Sequence, residues 1–253
     1  MTKLHSETLA SFLTVPVKAE ILPTVDSTNN ELKRRLLAGE RTDTLLLTET
    51  QTGGRGRLGR SFYSPAGSGL YLSLALCSIT RYDDAVLLTT MASAAVVRAI
   101  ERLTPYRPQI KWVNDIYLND RKIGGILTEA VNTPDGALAG VVIGIGINVA
   151  PTAFPEELRD VAGWLELAPL SREQLAAEIT AQLYAYCATL PERGYLPFYR
   201  AHSLVLGREI KVLTDPPYTA TAVDVDADGG LIVETADGTR RTLSTGEISV
   251  RLH

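Results

Sequence analysis

The sequence predicts an α+β fold in which a mixed α/β region is followed by a small all-β unit. Up to Leu204, short apolar runs typical of buried strands are interleaved with stretches of helical periodicity. Beyond that point the hydrophobic periodicity changes to two, and the pairs Asp228-Gly229 and Asp237-Gly238 are typical of hairpin turns. We therefore expect two domains, 1–203 and 204–253.

The composition is that of an ordinary folded protein. Hydrophobic residues make up 45% of the 253 residues and charged residues 21%, so disorder is not expected to dominate. The net charge of -4 gives no general attraction to nucleic acid, which favours basic surfaces. The two cysteines, Cys77 and Cys187, are too few for a disulfide scaffold, and we expect both to be buried, reduced thiols.

The sequence shows neither a secretory signal nor a membrane span. Residues 1–13 lack a basic segment followed by a long apolar run. The apolar stretches elsewhere are too short or too interrupted to cross a bilayer. We therefore expect a cytoplasmic protein without a membrane partner.

The individual elements follow from local patterns. Strands are predicted where apolar and β-branched residues cluster or alternate, at 13–25, 44–49, 70–76, 109–112, 116–118, 122–131, 138–149, 209–213, 219–225, 231–235 and 239–243. Helices are predicted at 28–39, 84–103, 155–165, 171–190 and 195–202.

Two of the predicted helices begin with a capping pattern. The hydroxyl of Thr28 is followed three residues later by Glu31, as in a capping box, and Gly39 marks the expected end of that helix. Ser171 with Gln174 is a similar start for the later helix.

A loop that alternates glycine and arginine is the sharpest feature of the chain. Gly53-Gly54-Arg55-Gly56-Arg57-Leu58-Gly59-Arg60 lies within residues 51–65, which show no periodicity and separate two predicted strands. The glycines allow close backbone approach, and the guanidinium groups bind carboxylate or phosphate oxygens. A flexible solvated loop or an RNA-binding patch is the alternative. It is weakened by the position between buried strands in an acidic protein.

A second group of polar residues follows a predicted strand in Lys111-Trp112-Val113-Asn114-Asp115. Lys122 begins the next long strand, so a carboxylate and an ammonium are expected to lie close together. The pair Gly124-Gly125 inside that apolar strand indicates a close backbone approach. On local grounds, Asn114-Asp115 is equally consistent with a turn, and Asn119-Asp120 is interpreted as one.

Other catalytic and nucleotide-binding patterns are absent from the sequence. Gly144-Ile145-Gly146-Ile147-Asn148 has too few glycines for a dinucleotide fingerprint, and we expect a flat surface against which a ligand stacks. No serine has the Gly-x-Ser-x-Gly setting of a hydrolase nucleophile, and no Walker A loop is present.

Taken together, the motifs resemble the biotin–protein ligases of the bacterial type. They occur in the family's order over nearly the whole chain: Ser27-Thr28-Asn29, Gln51, Gly54-Arg55-Gly56-Arg57-Leu58-Gly59-Arg60, Ser64-Pro65, Lys111-Trp112-Val113-Asn114-Asp115, Lys122-Ile123-Gly124-Gly125-Ile126-Leu127, Gly144-Ile145-Gly146-Ile147-Asn148 and Gly246-Glu247-Ile248-Ser249. Two positions depart from the family pattern. Val113 replaces a usual proline and Phe62 a common tryptophan, and neither change removes a charged or hydrogen-bonding group.

The resemblance implies a mixed-sheet catalytic domain followed by a small SH3-like β-barrel. It also implies a two-step reaction that uses biotin and Mg²⁺-ATP. Biotin would first be converted to biotinyl-5′-AMP with release of pyrophosphate. The biotinyl group would then pass to a lysine of a biotin carboxyl carrier protein domain of a carboxylase.

The resemblance also assigns roles to individual residues. The residues implied in catalysis are Lys122, Arg55 and Asp115. Those implied in binding biotin are Ser27, Thr28, Asn29, Gln51, Gly54, Arg55, Gly56, Arg57, Lys122 and Gly125. Those implied in binding the nucleotide are Arg57, Arg60, Phe62, Lys111, Asn114, Asn148 and Arg251. No protein-held metal site is expected.

The resemblance also bears on whether the protein binds DNA and whether it forms a homodimer. Only 26 residues precede the Ser-Thr-Asn motif, too few for the DNA-binding domain of the family's repressors, so we expect no DNA binding. The oligomeric state is left open, with a homodimer through the catalytic sheet as one option. The alternatives for function are a lipoate or octanoate ligase and a non-catalytic biotin-sensing module.

Overall fold

The computed structural model describes residues 2–79, 81–151, 153–244 and 248–250, and these residues form two β-sheets flanked by helices. The helices are α1 (Ser6–Phe12), α2 (Thr28–Leu37), α3 (Tyr82–Leu103), α4 (Arg172–Ala188) and α5 (Leu196–Ala201). The large sheet contains β1 (Lys18–Val25), β2 (Thr44–Gln51), β3 (Gly69–Leu76), β4 (Gln109–Lys111), β5 (Asp115–Leu118), β6 (Arg121–Asn132) and β7 (Leu138–Asn148). The small sheet contains β8 (Glu209–Val212), β9 (Tyr218–Val225), β10 (Leu231–Glu234), β11 (Arg240–Leu243) and β12 (Ile248–Val250).

The large sheet is mixed, as the sequence predicted. Its strand order is β1-β2-β3-β7-β6-β5-β4, in which β1 and β2 are parallel and the other neighbours are antiparallel. The small sheet is antiparallel, with the order β11-β10-β9-β8-β12. The sequence did not predict α1 or β12, because both are short and contain too few residues to show a period.

Two hydrophobic clusters cover the opposite faces of the large sheet. Leu45 and Leu47 of β2 join the larger cluster with α3 and α4, whereas Leu46 joins the smaller one with α2. This division follows from the strand geometry, because successive side chains of a strand point to opposite faces. All of β3 is buried, which confirms the buried strand predicted at 70–76. None of the helices in the described residues is long and apolar enough to cross a membrane.

The small sheet packs against the helical side of the first region. Arg200 of α5 donates from Nε to the carbonyl oxygen of Val225 at 2.9 Å and forms an ion pair with Asp224 at 2.8 Å. Ile110 of β4 also makes a parallel bridge with Ser203, just before the small sheet begins. The small sheet is therefore joined to α5 by polar contacts, and the proposed domain boundary near 204 stays a prediction.

The helix predicted at 155–165 is wrong. The structure has only a single 3-10 turn at Glu156–Leu158. The chain after it runs alongside the start of β6 and the end of β7, because Lys122 donates its N–H to Val161 O and Leu165 donates its N–H to Asn148 O, each at 2.8 Å. Backbone hydrogen bonds to strand ends that lie far away in sequence override the helical pattern here.

The two predicted helix starts have different outcomes. Helix α2 begins at Thr28 as expected, but its N-cap, Ser27, makes no side-chain capping bond, so the predicted capping box is wrong there. The Thr28 hydroxyl instead bonds Gln51. Helix α4 does begin with a complete capping box between Ser171 and Gln174.

Both cysteines are free thiols, as predicted, although each is only partly buried. Burial raises the pKa of the Cys187 thiol to about 12. The group is therefore protonated and a poor nucleophile at neutral pH.

We expect Ser171→Ala to lower the free energy of unfolding by about 1 kcal/mol, because it removes the acceptor for the Gln174 N–H at the start of α4. Urea unfolding followed by circular dichroism measures this change. Ser171→Asp is the matched control, since it retains an acceptor at the N-cap and should keep most of the stability. Equal stability of the alanine variant and the unmodified protein would contradict the prediction.

Candidate active site

A cavity of about 170 Å³ lies over β6 and β7, between the start of α2 and the loop that follows β2. Most residues selected from the sequence line it: Ser27, Thr28, Asn29, Gln51, Arg55, Gly56, Arg57, Arg60, Phe62, Lys111, Asn114, Asp115, Lys122 and Gly125. Gly54 and Asn148 do not line the cavity, and Arg251 lies outside the described residues, as do Gly246 and Glu247 of the last motif. The fold thus gathers widely separated parts of the sequence into one place.

An ion pair between Lys122 and Asp115 lies in this cavity. Lys122 Nζ is 2.7 Å from Asp115 Oδ1, which confirms that the two charges lie close together. The antiparallel pairing of β5 with β6 places Asp115 opposite Gly125. A Cβ atom at Gly125 would be 3.6 Å from Asp115 Oδ1, so the ion pair lies directly over this glycine.

The Gly/Arg loop (residues 53–60) is folded back on itself by backbone hydrogen bonds. Gly56 N–H donates to Arg60 O at 2.7 Å, and Phe62 N–H donates to Gly54 O at 2.9 Å. Gly54 is so close to the returning part of the loop that a Cβ atom would lie 2.4 Å from Phe62 O. This position therefore requires glycine for the loop's own packing, which differs from the ligand contact implied by the resemblance.

The tip of the loop reaches across to the segment between β4 and β5. Arg57 Nη1 donates to Asn114 Oδ1 at 3.3 Å. The neighbouring Leu58 has a φ of 56° and is 69% exposed, so an apolar side chain in left-handed backbone projects into solvent. The loop thus has a defined conformation and a contact with the opposite wall of the cavity.

A chain of polar groups lies behind the cavity wall formed by α2. Ser73, fully buried on β3, has its Oγ 2.7 Å from Thr28 Oγ1 and 2.6 Å from Asn29 Oδ1, so its single proton can be donated to either oxygen. Thr28 donates from both its N–H and its hydroxyl to Gln51 Oε1, at 2.9 and 3.1 Å. Gln51 Nε2 in turn donates to Ser64 Oγ at 3.0 Å. Sequence reasoning missed Ser73, although a lone serine within a buried apolar strand was a usable signal.

Glu129 of β6 is a second residue that sequence reasoning missed. Its carboxylate accepts hydrogen bonds from Lys33 Nζ at 2.8 Å, Asn29 Nδ2 at 2.9 Å and Arg55 Nη1 at 3.0 Å. Burial alone raises the pKa of Glu129, but the hydrogen bonds from Lys33 and Asn29 outweigh it. The pKa therefore lies below the ordinary value of 4.5, and the carboxylate is ionised at neutral pH.

Comparison with known proteins identifies the family. Residues 21–148 match the Biotin/lipoate A/B protein ligase family, and residues 205–251 match the Biotin protein ligase C terminal domain. The chain belongs to the biotin/lipoate A/B protein ligase family.

Curated relatives carry related names. The chain is 32% identical over 240 residues to the bifunctional ligase/repressor BirA of Salmonella typhimurium, in an alignment that covers 91% of this chain and 73% of that protein. It is 33% identical to BirA of Bacillus subtilis, covering 79% of this chain and 64% of that protein. It is 29% identical to the biotin--[acetyl-CoA-carboxylase] ligase of Mycobacterium tuberculosis, covering 90% of this chain and 87% of that protein.

A solved structure shows the same fold. The biotin protein ligase from Aquifex aeolicus, in complex with biotin and ATP, superposes with a TM-score of 0.75 and 29% identity. The match covers 92% of this chain and 98% of that chain. The mixed-sheet domain and the small C-terminal sheet of this family member are thus both of the biotin protein ligase type.

Two residues of this family member have structural contacts that differ from the roles implied by the resemblance. Asn29 lines the cavity, but its Oδ1 lies 2.6 Å from Ser73 Oγ and its Nδ2 donates to Leu127 O and Glu129. Its amide nitrogen is therefore fully used within the protein and its oxygen faces the Ser73 hydroxyl, so the side chain supports the wall of the cavity. Asn148 is buried and donates from Nδ2 to Gly163 O at 2.8 Å, so it fixes the segment after β7.

The segment between β4 and β5 is held from several sides. Trp112, which is 5% exposed, donates from Nε1 to Gly229 O at 2.9 Å in the turn between β9 and β10. The carbonyl oxygen of Val113 accepts from Ser93 of α3 and Tyr199 of α5, each at 3.2 Å. The small sheet and two helices therefore jointly position the polar residues that follow.

The glycines of β7 lie under protein side chains. A Cβ atom at Gly144 would be 2.2 Å from Asn29 Oδ1, and one at Gly146 would be 2.5 Å from the ring of Phe62. The flat surface expected from the sequence is present, but Asn29 and Phe62 cover it. The glycines are needed because these two side chains occupy the space that a Cβ atom would take.

We expect Gly144→Ala to lower the free energy of unfolding by about 1–3 kcal/mol, because Asn29 is fixed by hydrogen bonds and cannot move away from the added methyl group. Gly125→Ala on the adjacent strand is the matched control. Its added Cβ would make an ordinary contact of 3.6 Å, so we expect a change within about 0.5 kcal/mol. Urea unfolding of both variants measures the difference, and equal stabilities would refute the assigned clash.

Proposed function

We propose that this protein activates biotin with ATP to give biotinyl-5′-AMP and transfers the biotinyl group to a lysine of a biotin carboxyl carrier protein. The observation that carries the proposal is the Lys122–Asp115 ion pair at 2.7 Å, in a cavity also lined by three arginines of the Gly/Arg loop. Membership of the family and the likeness to the Aquifex aeolicus protein with biotin and ATP support it.

The first step is the attack of a biotin carboxylate oxygen on the α-phosphorus of ATP. A carboxyl–phosphate bond forms, the bond from the α-phosphorus to the bridging oxygen breaks, and pyrophosphate leaves with the electron pair. Negative charge increases on the phosphoryl oxygens as this happens. Lys122, Arg55 and Arg60, which all line the cavity, supply positive charge for this transition state.

In the second step, the ε-amine of the carrier lysine attacks the acyl carbon of the mixed anhydride. An amide bond forms and AMP leaves. A free lysine has a pKa of about 10.4, so little of it is deprotonated at neutral pH. We assign to Asp115 the acceptance of the amine proton, since its carboxylate lines the cavity and is held in place by Lys122.

The polar groups of the cavity favour one orientation of the substrates. The wall of α2 offers hydroxyl and amide groups suited to the ureido ring, and the backbone of the loop flanks them. The groups we assign to biotin are Ser27, Thr28, Gln51, Gly56, Arg57 and Gly125, with Asn29 and Gly54 as support. Those we assign to the nucleotide are Arg57, Arg60, Phe62, Lys111 and Asn114, with Phe62 as the stacking surface.

Magnesium enters this proposal with ATP. In the described residues, no group of three or more His, Cys, Asp or Glu side chains could hold a metal ion. Mg²⁺ is commonly bound through one or two carboxylates together with substrate phosphates, and the Asp115 carboxylate in the cavity fits that pattern. The ion would supply additional positive charge to the phosphates.

The carrier is proposed from the names of the relatives. The Mycobacterium tuberculosis relative is a biotin--[acetyl-CoA-carboxylase] ligase, which supports a carboxylase carrier domain as acceptor. The homodimer, the lack of DNA binding and the cytoplasmic location stay predictions from the sequence, as does the role of Arg251.

Pyrophosphate release from Mg²⁺-ATP tests the proposal directly. We expect release with biotin, and incorporation of biotin into a carrier domain when that domain is added. Lipoate and octanoate serve as competing substrates in the same assay. Release with either of these but not with biotin would refute the assigned substrate, and no release with any acid would refute the ligase reaction.

We expect Lys122→Ala to slow biotin-dependent pyrophosphate release by roughly 10- to 150-fold, because a charged hydrogen bond to the reacting groups is lost. Lys122→Arg should recover part of the rate. The matched control is Lys18→Ala, which removes a surface lysine paired with Glu20 and Glu40. A near-normal rate for Lys122→Ala would remove this residue from its assigned role.

A further inference from the structure

Glu129 connects three parts of the site through one carboxylate. Asn29 belongs to the cavity wall on α2, Lys33 lies one turn further along the same helix, and Arg55 belongs to the Gly/Arg loop. The Glu129 side chain is 17% exposed, compared with 40% for that of Arg55. A mostly buried carboxylate on β6 therefore holds a more exposed residue of the loop.

The contact between Arg55 and Glu129 uses only one edge of the guanidinium group. Arg55 Nη1 donates to both carboxylate oxygens, at 3.0 and 3.3 Å, and also to Asn30 Oδ1 at 3.0 Å. In the described residues these hydrogen bonds involve neither Nε nor Nη2, so the rest of the guanidinium group can donate to an anion. Because Lys33 and Arg55 bring two positive charges to one carboxylate, the cluster keeps a net positive charge.

Within the described residues, Arg55 attaches the loop to α2 through Asn30 and to β6 through Glu129. The hydrogen bond from Arg57 to Asn114 is longer, at 3.3 Å, and its acceptor is an uncharged amide, so it is weaker than the ion pair of Arg55. Three arginines within the loop also repel one another, which favours opening. The Glu129 carboxylate pairs with Arg55 and so offsets this repulsion before any substrate is present.

We propose that Glu129 is a positioning residue that latches the Gly/Arg loop over the cavity in the free protein. The latch keeps Arg55 and the loop backbone near the conformation that substrate requires. This inference rests on the proposed function for the identity of that substrate, biotin. A ligand that binds only the closed loop has its apparent affinity reduced by the fraction of protein in which the loop is open.

The test compares Glu129→Gln with Glu31→Gln. Both variants remove one carboxylate charge that contacts basic side chains of α2, since Glu31 pairs with Arg34 at 2.8 Å and Arg35 at 2.9 Å. Only Glu129 contacts the loop. Two readouts are measured on the full chain: the rate of trypsin cleavage after the loop arginines without ligand, and kcat and KM for biotin in pyrophosphate release.

For Glu129→Gln we expect cleavage in the loop to become about three- to tenfold faster, because the variant loses a partly exposed ion pair with Arg55. The KM for biotin should rise as the closed fraction of the loop falls, while kcat changes by less than about twofold, because saturating biotin closes the loop. Glu31→Gln should leave both readouts unchanged. A role confined to packing would predict no such separation of KM from kcat.

Unchanged loop cleavage in Glu129→Gln would overturn the latch, and so would a fall in kcat with KM unchanged. If that variant does not fold, Arg55→Gln replaces it in the cleavage assay. Cleavage after Arg57 and Arg60 should then be faster, and an unchanged rate would equally overturn the proposal. The cleavage assay needs no activity, so it decides on the latch even if biotin-dependent pyrophosphate release fails.

Discussion

Glycines on β6 and β7 leave room on the large sheet, and the side chains of Asn29 and Phe62, which line the cavity, occupy part of it. A Cβ atom at Gly124 would lie 2.7 Å from Gly146 O, so the two strands pack backbone to backbone. Above them, Asn29 lies against Gly144 and Phe62 against Gly146. An added methyl group at such a position forces neighbouring atoms apart and costs about 1–3 kcal/mol. The cavity thus depends on close packing at positions without side chains.

The charges of the site are balanced within a protein that is acidic overall. The net charge of the chain is -4, yet the cavity contains three arginines and two lysines. Asp115 pairs with Lys122, and Glu129 pairs with Arg55 and Lys33. These pairs lower the repulsion among the cations without neutralising all of them. A substrate phosphate therefore meets an arranged set of positive charges, which avoids the cost of reorganising them during the reaction.

In the part of the chain that the structure describes, the small C-terminal sheet contributes to the site from outside the lining of the cavity. Its Gly229 carbonyl accepts the indole N–H of Trp112, and Trp112 lies in the segment that carries Asn114 and Asp115. Arg200 adds a second attachment through Val225. Because the buried indole has its hydrogen-bond partner in the small sheet, separation of the two sheets would leave a buried donor unsatisfied. The two sheets are therefore coupled at the place where the proposed proton acceptor is positioned.

Much of the site was predictable because its functional residues lie in short sequence motifs. A loop rich in glycine and arginine, polar residues directly after a strand, and glycines within apolar strands each show a recognisable spacing. The family resemblance added the order of these motifs. The roles of Glu129 and Ser73 were not predicted, because each is a single polar residue in an apolar strand. Such a role becomes visible only when the residue's partners in space are known.

The sequence by itself determined the mixed α/β region, the small β unit and the residue types of the cavity. Tertiary structure alone decided how those residues are used. It directed Asn29 into hydrogen bonds within the protein and brought Glu129 to Arg55. It also drew the chain after the turn at Glu156–Leu158 alongside Lys122. The physical reason is that hydrogen bonds and ion pairs depend on distances in space, and residues far apart in sequence acquire those distances only when the sheet is assembled.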